Sequence, residues 1–428
     1  MAEFLIEGRA RTKGRVRPGG NKNAAFPLLA AALLTAAPVT LRNLPDIDDV
    51  RTMLGMMEGM GITVHRADRH TVTVRAGSLQ STRPDPELLK KIRGALVLMG
   101  ALLAREGHAE LGHSGGDQIG RRRVDTHVLG LSALGAEVRS EGGVLHLAAR
   151  RLHGADILLD EASVTGTENV ILAAVRAEGD TVLRNAASEP HVQDLCHLLV
   201  AMGARIEGIG SNVLTIHGGA ALHGADFTLG PDFMEVGSFI VLAAVTDGEV
   251  LIEGVRREDL RMALNVFGRL GIATEYRGDD LFVPGARPLV IQTDLGEAIP
   301  KVDDGPWPAF PADLMSVALV AATQAEGAVL FHEKMYESRL FFVDRLIGMG
   351  ARIVLCDPHR ALIHGPARLR GEPGGIPSPD IRAGIALLIA ALCADGHTVI
   401  RSIEQIDRGY EDIETKLQAL GAKITRRG

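Results

Sequence analysis

A short pattern recurs six times along the 428-residue chain. A segment with helical apolar spacing ends in Leu or Met, a Gly-Ala or Gly-Ile pair follows, and an alternating strand comes next. The glycine suits a helix end that needs a left-handed backbone. The repeated glycines are Gly61, Gly135, Gly203, Gly271, Gly350 and Gly421. A chain with internal repeats folds as copies of one supersecondary unit, so this pattern constrains the fold more than any other feature.

Each repeat also holds a second helical segment that is apolar nearly all round, and such helices are normally buried. The units therefore read as β-α-β-α-β-β and predict an α/β protein. Because single cores rarely exceed roughly 250–300 residues, we expect two lobes of three units each. The predicted lobes are residues 22–230, and residues 1–21 with 231–428, where the first strand, Phe4–Glu7, completes the C-terminal lobe. A six-fold solenoid is the alternative.

Composition excludes several classes of function. The net charge of −7 argues against nucleic-acid binding, and the longest apolar runs are interrupted or too short to span a membrane. The three cysteines lie far apart and no signal-type segment opens the chain, so we expect a cytoplasmic protein. No zinc spacing, Walker loop or strand-linked GxGxxG motif is present, so no metal and no organic cofactor is expected.

Cations stand out near the predicted buried helices. Lys22 opens the first helix, Arg93 is predicted within the second, and Arg382 opens the sixth. A charge beside an apolar helix is costly unless a partner compensates it. Structural ion pairs would explain each one singly, whereas the set favours an anionic ligand between the lobes.

Five motifs give the chain a family resemblance that runs over nearly its whole length. The motifs are Gly20–Ala25, Gly115–Gly120, Thr165–Asn169, Phe310–Asp313 and Ile406–Tyr410. With these motifs the chain resembles the UDP-N-acetylglucosamine enolpyruvyl transferases, whose superfamily includes the shikimate-phosphate enolpyruvyl transferases. The resemblance implies two inside-out α/β barrel lobes built from six βαβαββ repeats.

The same resemblance implies a reaction and its catalytic residues. The enolpyruvyl group of phosphoenolpyruvate would pass to the 3'-hydroxyl of UDP-N-acetylglucosamine, in peptidoglycan precursor synthesis. Asp313 would orient or deprotonate that hydroxyl, Asp117 would protonate C3, and Lys22 would be the third catalytic residue. The anionic substrate would be held by five cations: Lys22, Arg122 and Arg408 at the phosphate, and Arg339 and Arg382 near the carboxylate. Asn23 would also bind it.

The nucleotide-binding residues are implied in the same way. They form two segments and several single positions, and for each a solvated loop is the alternative. The set comprises Asn23, Arg93, Arg122, Arg123, Val124, Asp125, Thr126, His127, Ser163, Val164, Thr165, Gly166, Asp313 and the backbone of Met335.

Departures from the family pattern bear on inhibition and on the acceptor. Asp117 stands where Cys is common, so the resemblance implies resistance to fosfomycin, an epoxide phosphonate that alkylates the loop thiol. Arg123 replaces a usual Pro, Glu161 a residue that is often basic, and His113-Ser114 an apolar-Pro pair. A different nucleotide or sugar acceptor therefore stays open, as does a non-catalytic binding paralogue. Shikimate phosphate is disfavoured because Asn23 stands where that branch has Ser.

Overall fold

A computed structural model describes residues 2–112, 114–117, 119–285 and 288–428. Over these residues the chain is a mixed α/β protein that divides into two compact units. The N-terminal unit comprises Gly20–Asp117 and Arg122–Gly230, and the C-terminal unit comprises Met1–Gly19, Gln118–Arg121 and Pro231–Gly428. His113 and Gln118, which belong to the sequence stretch around Gly115–Gly120, lie outside the described residues.

Helices of two kinds alternate along the chain, as the repeat predicts. One kind is buried on nearly every side, and the other has an exposed face. Short 3₁₀ helices cover Ala32–Leu34, Gly94–Val97 and Arg339–Phe342. The α-helices are α1 (Lys22–Ala31), α2 (Asp48–Gly59), α3 (Pro86–Leu89), α4 (Leu98–Glu106), α5 (Asp125–Ala133), α6 (Val164–Ala174), α7 (Pro190–Ala201), α8 (Phe233–Val245), α9 (Arg257–Arg269), α10 (Ala312–Gln324), α11 (Val343–Gly348), α12 (Ile381–Cys393), α13 (Glu404–Asp407) and α14 (Ile413–Ala419).

The strands are short and many alternate between buried and exposed positions, which matches one core-facing and one outward face. They are β1 (Glu3–Glu7), β2 (Lys13–Val16), β3 (Val39–Arg42), β4 (Thr63–Arg66), β5 (Val72–Arg75), β6 (His108–Leu111), β7 (Glu137–Glu141), β8 (Val144–Ala148), β9 (Asp156–Leu158), β10 (Asp180–Arg184), β11 (Arg205–Glu207), β12 (Val213–His217), β13 (Asp226–Thr228), β14 (Glu249–Ile252), β15 (Glu275–Arg277), β16 (Asp280–Val283), β17 (Lys301–Asp303), β18 (Gly327–His332), β19 (Ile353–Asp357), β20 (Arg360–Gly365), β21 (Ile376–Pro377), β22 (His397–Arg401) and β23 (Lys423–Arg427).

The N-terminal unit packs three small sheets around three buried helices. The sheets have the strand orders β13-β3-β5-β4, β6-β8-β7 and β11-β12-β10-β9. Helices α1, α4 and α6 all contact one another, and their aliphatic side chains form one continuous core. Contact between the first and third helices excludes the solenoid alternative, in which each repeat touches only its neighbours.

The C-terminal unit repeats this arrangement with sheets β15-β16-β14-β2, β17-β18-β20-β19 and β21-β22-β1-β23. Strand β1 lies antiparallel between β22 and β23, which confirms the predicted return of the first strand. Helices α8, α10 and α12 contact one another inside the unit. Both units thus contain buried helices, and polar residues lie at the N-terminal ends of several of them.

The repeated glycines have the predicted backbone. All six adopt positive φ, from 86° at Gly271 to 105° at Gly203. Each follows a helix end, as Gly203 follows α7 and Gly271 follows α9. A residue with a Cβ would be strained there, which explains why the repeat has glycine at this point.

Candidate active site

In the N-terminal unit, a buried ion pair marks the start of α1. Asn21 caps the helix and its side chain accepts hydrogen bonds from the backbone N–H groups of Asn23 and Ala24. Lys22 Nζ lies 2.9 Å from Asp49 Oδ2 of α2, and both side chains are buried. The buried carboxylate stabilises the lysine charge beside an apolar helix. A cation next to a helix N-terminus suits a phosphate group.

Arg93 lies before the second buried helix and not within it, which corrects the sequence prediction. The chain forms the 3₁₀ helix Gly94–Val97 first, and a Cβ on Gly94 would come within 2.6 Å of the Phe26 ring. Arg93 Nη2 donates hydrogen bonds to the carbonyl oxygens of Arg122 (2.8 Å) and Arg123 (3.0 Å). Arg93 therefore holds the segment that leads into α5.

Asp160 fixes the beginning of the same segment. Its two carboxylate oxygens accept hydrogen bonds from Arg123 Nη2 and from Thr126 Oγ1, both at 2.6 Å. Arg123 Nε also lies 3.3 Å from Asp125 Oδ2. Arg123 is thus held by acidic neighbours.

The loop that carries Asp117 approaches these arginines closely. Gly116 has a φ of 106°, and a Cβ there would lie 2.8 Å from Arg93 Cβ and 3.5 Å from Arg122 Nη1. Glycine permits both the conformation and the approach. The half-buried Asp117 follows directly, so its backbone is anchored beside Arg93 and Arg122.

The two predicted nucleotide segments meet at His127. Its Nδ1 lies 2.8 Å from Asn169 Nδ2, and its Nε2 lies 3.2 Å from Thr165 Oγ1. Burial, followed by the positive charge of Arg93, lowers the pKa of His127 to about 4, so the ring is neutral at pH 7. Since Asn169 Nδ2 donates to Nδ1, Nε2 carries the proton and donates to Thr165.

Ser163 caps α6 and thereby shapes the second nucleotide segment. Its hydroxyl accepts a hydrogen bond from Gly166 N–H at 3.2 Å. Val164 and Thr165 form the first turn of the helix. Helix N-terminal N–H groups and a neutral histidine offer hydrogen bonds to an uncharged or anionic group.

In the C-terminal unit, Asp313 lies between two buried arginines. Its Oδ1 is 2.7 Å from Arg339 Nη2, and its Oδ2 is 2.9 Å from Arg382 Nε. The arginine side chains are 2% and 5% exposed, whereas that of Asp313 is 26% exposed. The carboxylate is therefore the part of this cluster that solvent or a ligand reaches most easily.

Three buried helix starts bring this cluster together. Asp313 and Arg382 are the second residues of α10 and α12, and Arg339 begins the 3₁₀ helix that precedes α11. Asp380 caps α12 and lies 4.0 Å from Arg339 Nη1. Burial alone would lower the pKa of Arg382, but the charges of Asp313, Tyr410 and Asp232 together outweigh it and the pKa is raised.

Arg339 has hydrogen-bond donors that no protein acceptor engages among the described residues. Among the described residues, its buried Nε and Nη1 atoms have no hydrogen-bond acceptor within bonding distance. An arginine of this kind matches the planar oxygens of a carboxylate. The free donors are therefore suited to a carboxylate-bearing ligand.

Two predicted residues lie outside the Asp313 cluster. Arg408 Nη1 donates to Gln405 Oε1 at 2.8 Å, at the end of α13. Met335 is exposed, and its backbone N–H donates to Glu333 Oε1 at 3.2 Å. Sequence reasoning missed Glu333 and the neighbouring Asp304, both fully or almost fully buried.

The similarity to known proteins covers essentially the whole chain. The family model of EPSP synthase (3-phosphoshikimate 1-carboxyvinyltransferase) matches residues 6–417. The chain belongs to this EPSP synthase family.

Among the described residues, no helix has the length and apolar character that crossing a membrane requires.

Within the EPSP synthase family, the curated relatives distinguish the branch. A protein of Bradyrhizobium diazoefficiens is 55% identical over 99% of this chain and 98% of its own length. One of Treponema pallidum is 53% identical over the full length of both chains. Both carry the name UDP-N-acetylglucosamine 1-carboxyvinyltransferase. The family recognised from the motifs is thereby confirmed.

Solved structures agree with the fold. The enolpyruvyl transferase NikO from Streptomyces tendae has a TM-score of 0.88 at 27% identity, with 99% of this chain and 98% of that chain covered. An EPSP synthase from Acinetobacter baumannii has a TM-score of 0.77 at 19% identity over the full length of both chains. The α/β enolpyruvyl transferase fold predicted from the sequence is confirmed.

Proposed function

We propose that this protein transfers the enolpyruvyl group of phosphoenolpyruvate to the 3'-hydroxyl of UDP-N-acetylglucosamine, releasing phosphate. The observation that carries the proposal is the full-length identity of 53–55% with proteins named for this transfer. We infer that the product is a peptidoglycan precursor, and we place the reaction in the cytoplasm.

The charges of the C-terminal unit support the phosphoenolpyruvate half of this proposal. Arg339 and Arg382 would bind the carboxylate, because Arg339 has free donors beside Asp313. Lys22, Arg122 and Arg408 would bind the phosphate, and Asn23 would add contacts at the start of α1. Phosphate and carboxylate together require several cations, which a protein of net charge −7 must concentrate locally.

The nucleotide would be bound mainly by the N-terminal unit. The proposed contacts are those of the segment Arg122–His127, which Arg93 and Asp160 hold, and of Ser163–Gly166 at the start of α6. The backbone of Met335 would line the sugar. Since His127 is neutral, it can contact the nucleotide without adding charge.

The proposed chemistry has two proton-coupled steps. In the first, the acceptor oxygen bonds to C2 of phosphoenolpyruvate while Asp313 takes the hydroxyl proton and Asp117 donates a proton to C3. In the second, the bond between C2 and the phosphate oxygen breaks and C3 loses a proton, which leaves the enolpyruvyl ether and free phosphate. General acid–base help of this type contributes roughly 10²–10⁴-fold to the rate.

The acceptor is tested by phosphate release from phosphoenolpyruvate with a panel of UDP-sugars and shikimate phosphate. We expect UDP-N-acetylglucosamine to give the highest kcat/KM. A higher value with another acceptor would overturn the acceptor assignment, and would direct attention to Arg123 and Glu161. Phosphate release with none of them, from folded protein, would favour a binding paralogue.

The Lys22–Asp49 pair allows structural and catalytic effects to be separated. Lys22→Gln leaves the buried Asp49 carboxylate without that cation, so we expect a loss of about 3–5 kcal/mol in the free energy of unfolding. The double variant Lys22→Gln, Asp49→Asn should regain much of this loss because both charges of the pair are then removed together. Phosphate release should stay low in both variants, because the phosphate-binding cation is absent. Urea unfolding and the release assay measure the two effects, and recovery of activity in the double variant would exclude Lys22 from phosphate binding.

A further inference from the structure

Two acidic residues follow adjacent parallel strands of the C-terminal unit. Strands β17 and β18 pair in parallel, with Asp303 opposite His332. Asp304 and Glu333 directly follow the two strands, so the register sets these two side chains next to each other. They are 2% and 0% exposed. Two ionised carboxylates in such a place would repel each other and lose their hydration.

One oxygen of each carboxyl group accepts hydrogen bonds from the turn that follows β18. Glu333 Oε1 accepts hydrogen bonds from the N–H groups of Met335 (3.2 Å) and Tyr336 (3.1 Å). Asp304 Oδ1 accepts one from Lys334 N–H. Three successive backbone N–H groups of the 334–336 turn therefore bind this acid pair.

The second oxygen of each carboxyl group lacks a hydrogen-bond donor unless the pair carries a proton. Glu333 Oε2 and Asp304 Oδ2 are buried, and among the described residues neither has a donor of its own. The parallel register of β17 and β18 places the two carboxyl groups side by side. One shared proton would satisfy both oxygens, whereas two ionised groups would leave both unsatisfied.

Among the described residues, no charged side chain near the pair donates a hydrogen bond to Glu333 Oε2 or Asp304 Oδ2. Arg339 is the cation that acts on Glu333, but its Nη2 is bonded to Asp313, and among the described residues its Nε and Nη1 have no acceptor within bonding distance. The His359 ring bonds the backbone carbonyl of Glu333 at 2.7 Å, not its carboxyl group. Lys334 Nζ lies with Asp303 on the outside of β17. Burial first, then the hydrogen bond and charge of Asp304, raise the pKa of Glu333 to about 9.

The turn connects this pair to the Asp313 cluster. The Tyr336 ring lies 5.1 Å from the guanidinium carbon of Arg339, a cation–π contact, and Arg339 donates to Asp313. We infer that Glu333 is a positioning residue of the proposed transfer: by sharing one proton with Asp304, it holds the 334–336 turn and so orients Met335 and Arg339. The inference rests on the proposed function for its activity readout, but the shared proton is testable without it.

The activity experiment compares two substitutions with a control. Glu333→Gln can accept from Met335 and Tyr336 and donate to Asp304, as a protonated Glu does, so we expect kcat/KM for the acceptor near the wild-type value at pH 7. Glu333→Ala loses the turn contacts, so we expect kcat/KM to fall roughly 10–100-fold, mainly through the KM of the acceptor. Glu326→Gln removes an exposed carboxylate next to β18 and should change neither kcat/KM nor the KM of the acceptor.

The pH profile adds a readout that a purely structural role would not move. Wild-type kcat/KM should decline as Glu333 loses its proton near pH 9, and Glu333→Gln should lack that part of the decline. A Glu333→Gln variant as impaired as Glu333→Ala at pH 7 would overturn the inference, because it would show that the negative charge is needed. Unaltered kinetics in Glu333→Ala would overturn it as well.

A stability measurement tests the shared proton directly. The pKa of Glu333 is raised from 4.5 to about 9 in the folded state, so folding retains a proton that the unfolded chain releases. The wild type therefore loses this stabilisation progressively as pH rises from about 4.5 to about 9. The Tm of Glu333→Gln relative to wild type should increase over that range, with no such trend in Glu326→Gln. A Tm difference that does not depend on pH would overturn the shared proton, even if the wild type proved inactive with every acceptor.

Discussion

Asp313→Ala is expected to lower turnover by roughly 10²–10⁴-fold while the affinity for the acceptor nucleotide stays nearly unchanged. In the proposed reaction Asp313 handles the attacking hydroxyl, so its loss acts on the transition state more than on binding. Single-turnover phosphate release and calorimetric titration with UDP-N-acetylglucosamine measure the two quantities.

Charge balance must be controlled in this experiment. Asp313 bonds both Arg339 and Arg382, and its removal leaves two buried guanidinium groups without that carboxylate. Asp313→Asn retains the shape and one acceptor oxygen but cannot take up the hydroxyl proton, so we expect it to be strongly impaired too. Asp344→Ala removes an exposed carboxylate of α11 and should behave as wild type. Near-normal turnover of folded Asp313→Ala would remove this residue from the chemistry.

The fold was predictable from the sequence because its signals are local. A left-handed glycine after an amphipathic helix and a helix apolar on all sides each require only a few residues to be recognised. Their six-fold recurrence then predicted the repeated unit. The return of β1 to the C-terminal strands was predicted as well.

The arrangement of charges was predictable only in part. Sequence reasoning found Lys22 and Arg382 because a cation stands out beside an apolar helix. It did not find Asp49, because an acid at the start of an amphipathic helix is ordinary. Pairs such as Lys22–Asp49 and Arg382–Asp313 are set by packing between helices, which no local pattern records.

Glu333 and Asp304 illustrate the same limit more sharply. In the sequence, each is an acid after a short strand, and such residues are usually solvated. Only the parallel register of β17 and β18 brings them together in a buried position. The available signal was that two neighbouring strands are each followed directly by an acidic residue.

The second large effect concerns covalent inhibition at residue 117. A thiolate is a strong nucleophile, whereas a carboxylate attacks an epoxide poorly, so we expect the wild type to resist fosfomycin. Asp117→Cys should keep activity, because a thiol can also donate a proton. It should also be inactivated with time: a bond from sulfur to an epoxide carbon forms, the carbon–oxygen bond opens, and the resulting alkoxide takes a proton.

The native cysteines make this experiment specific. Burial raises the pKa of the Cys196 and Cys393 thiols to about 12, so neither forms a thiolate near neutral pH. Cys356 is exposed and reports non-specific alkylation in the same sample. Peptide mass mapping should therefore find one inhibitor adduct at position 117 of Asp117→Cys and none in the wild type or in Asp117→Ser. Time-dependent inactivation of the wild type with a mass increase at Asp117 would contradict the prediction, since the carboxylate would then be the nucleophile. Resistance of active Asp117→Cys would equally contradict it, because this loop position would then lack access to the epoxide.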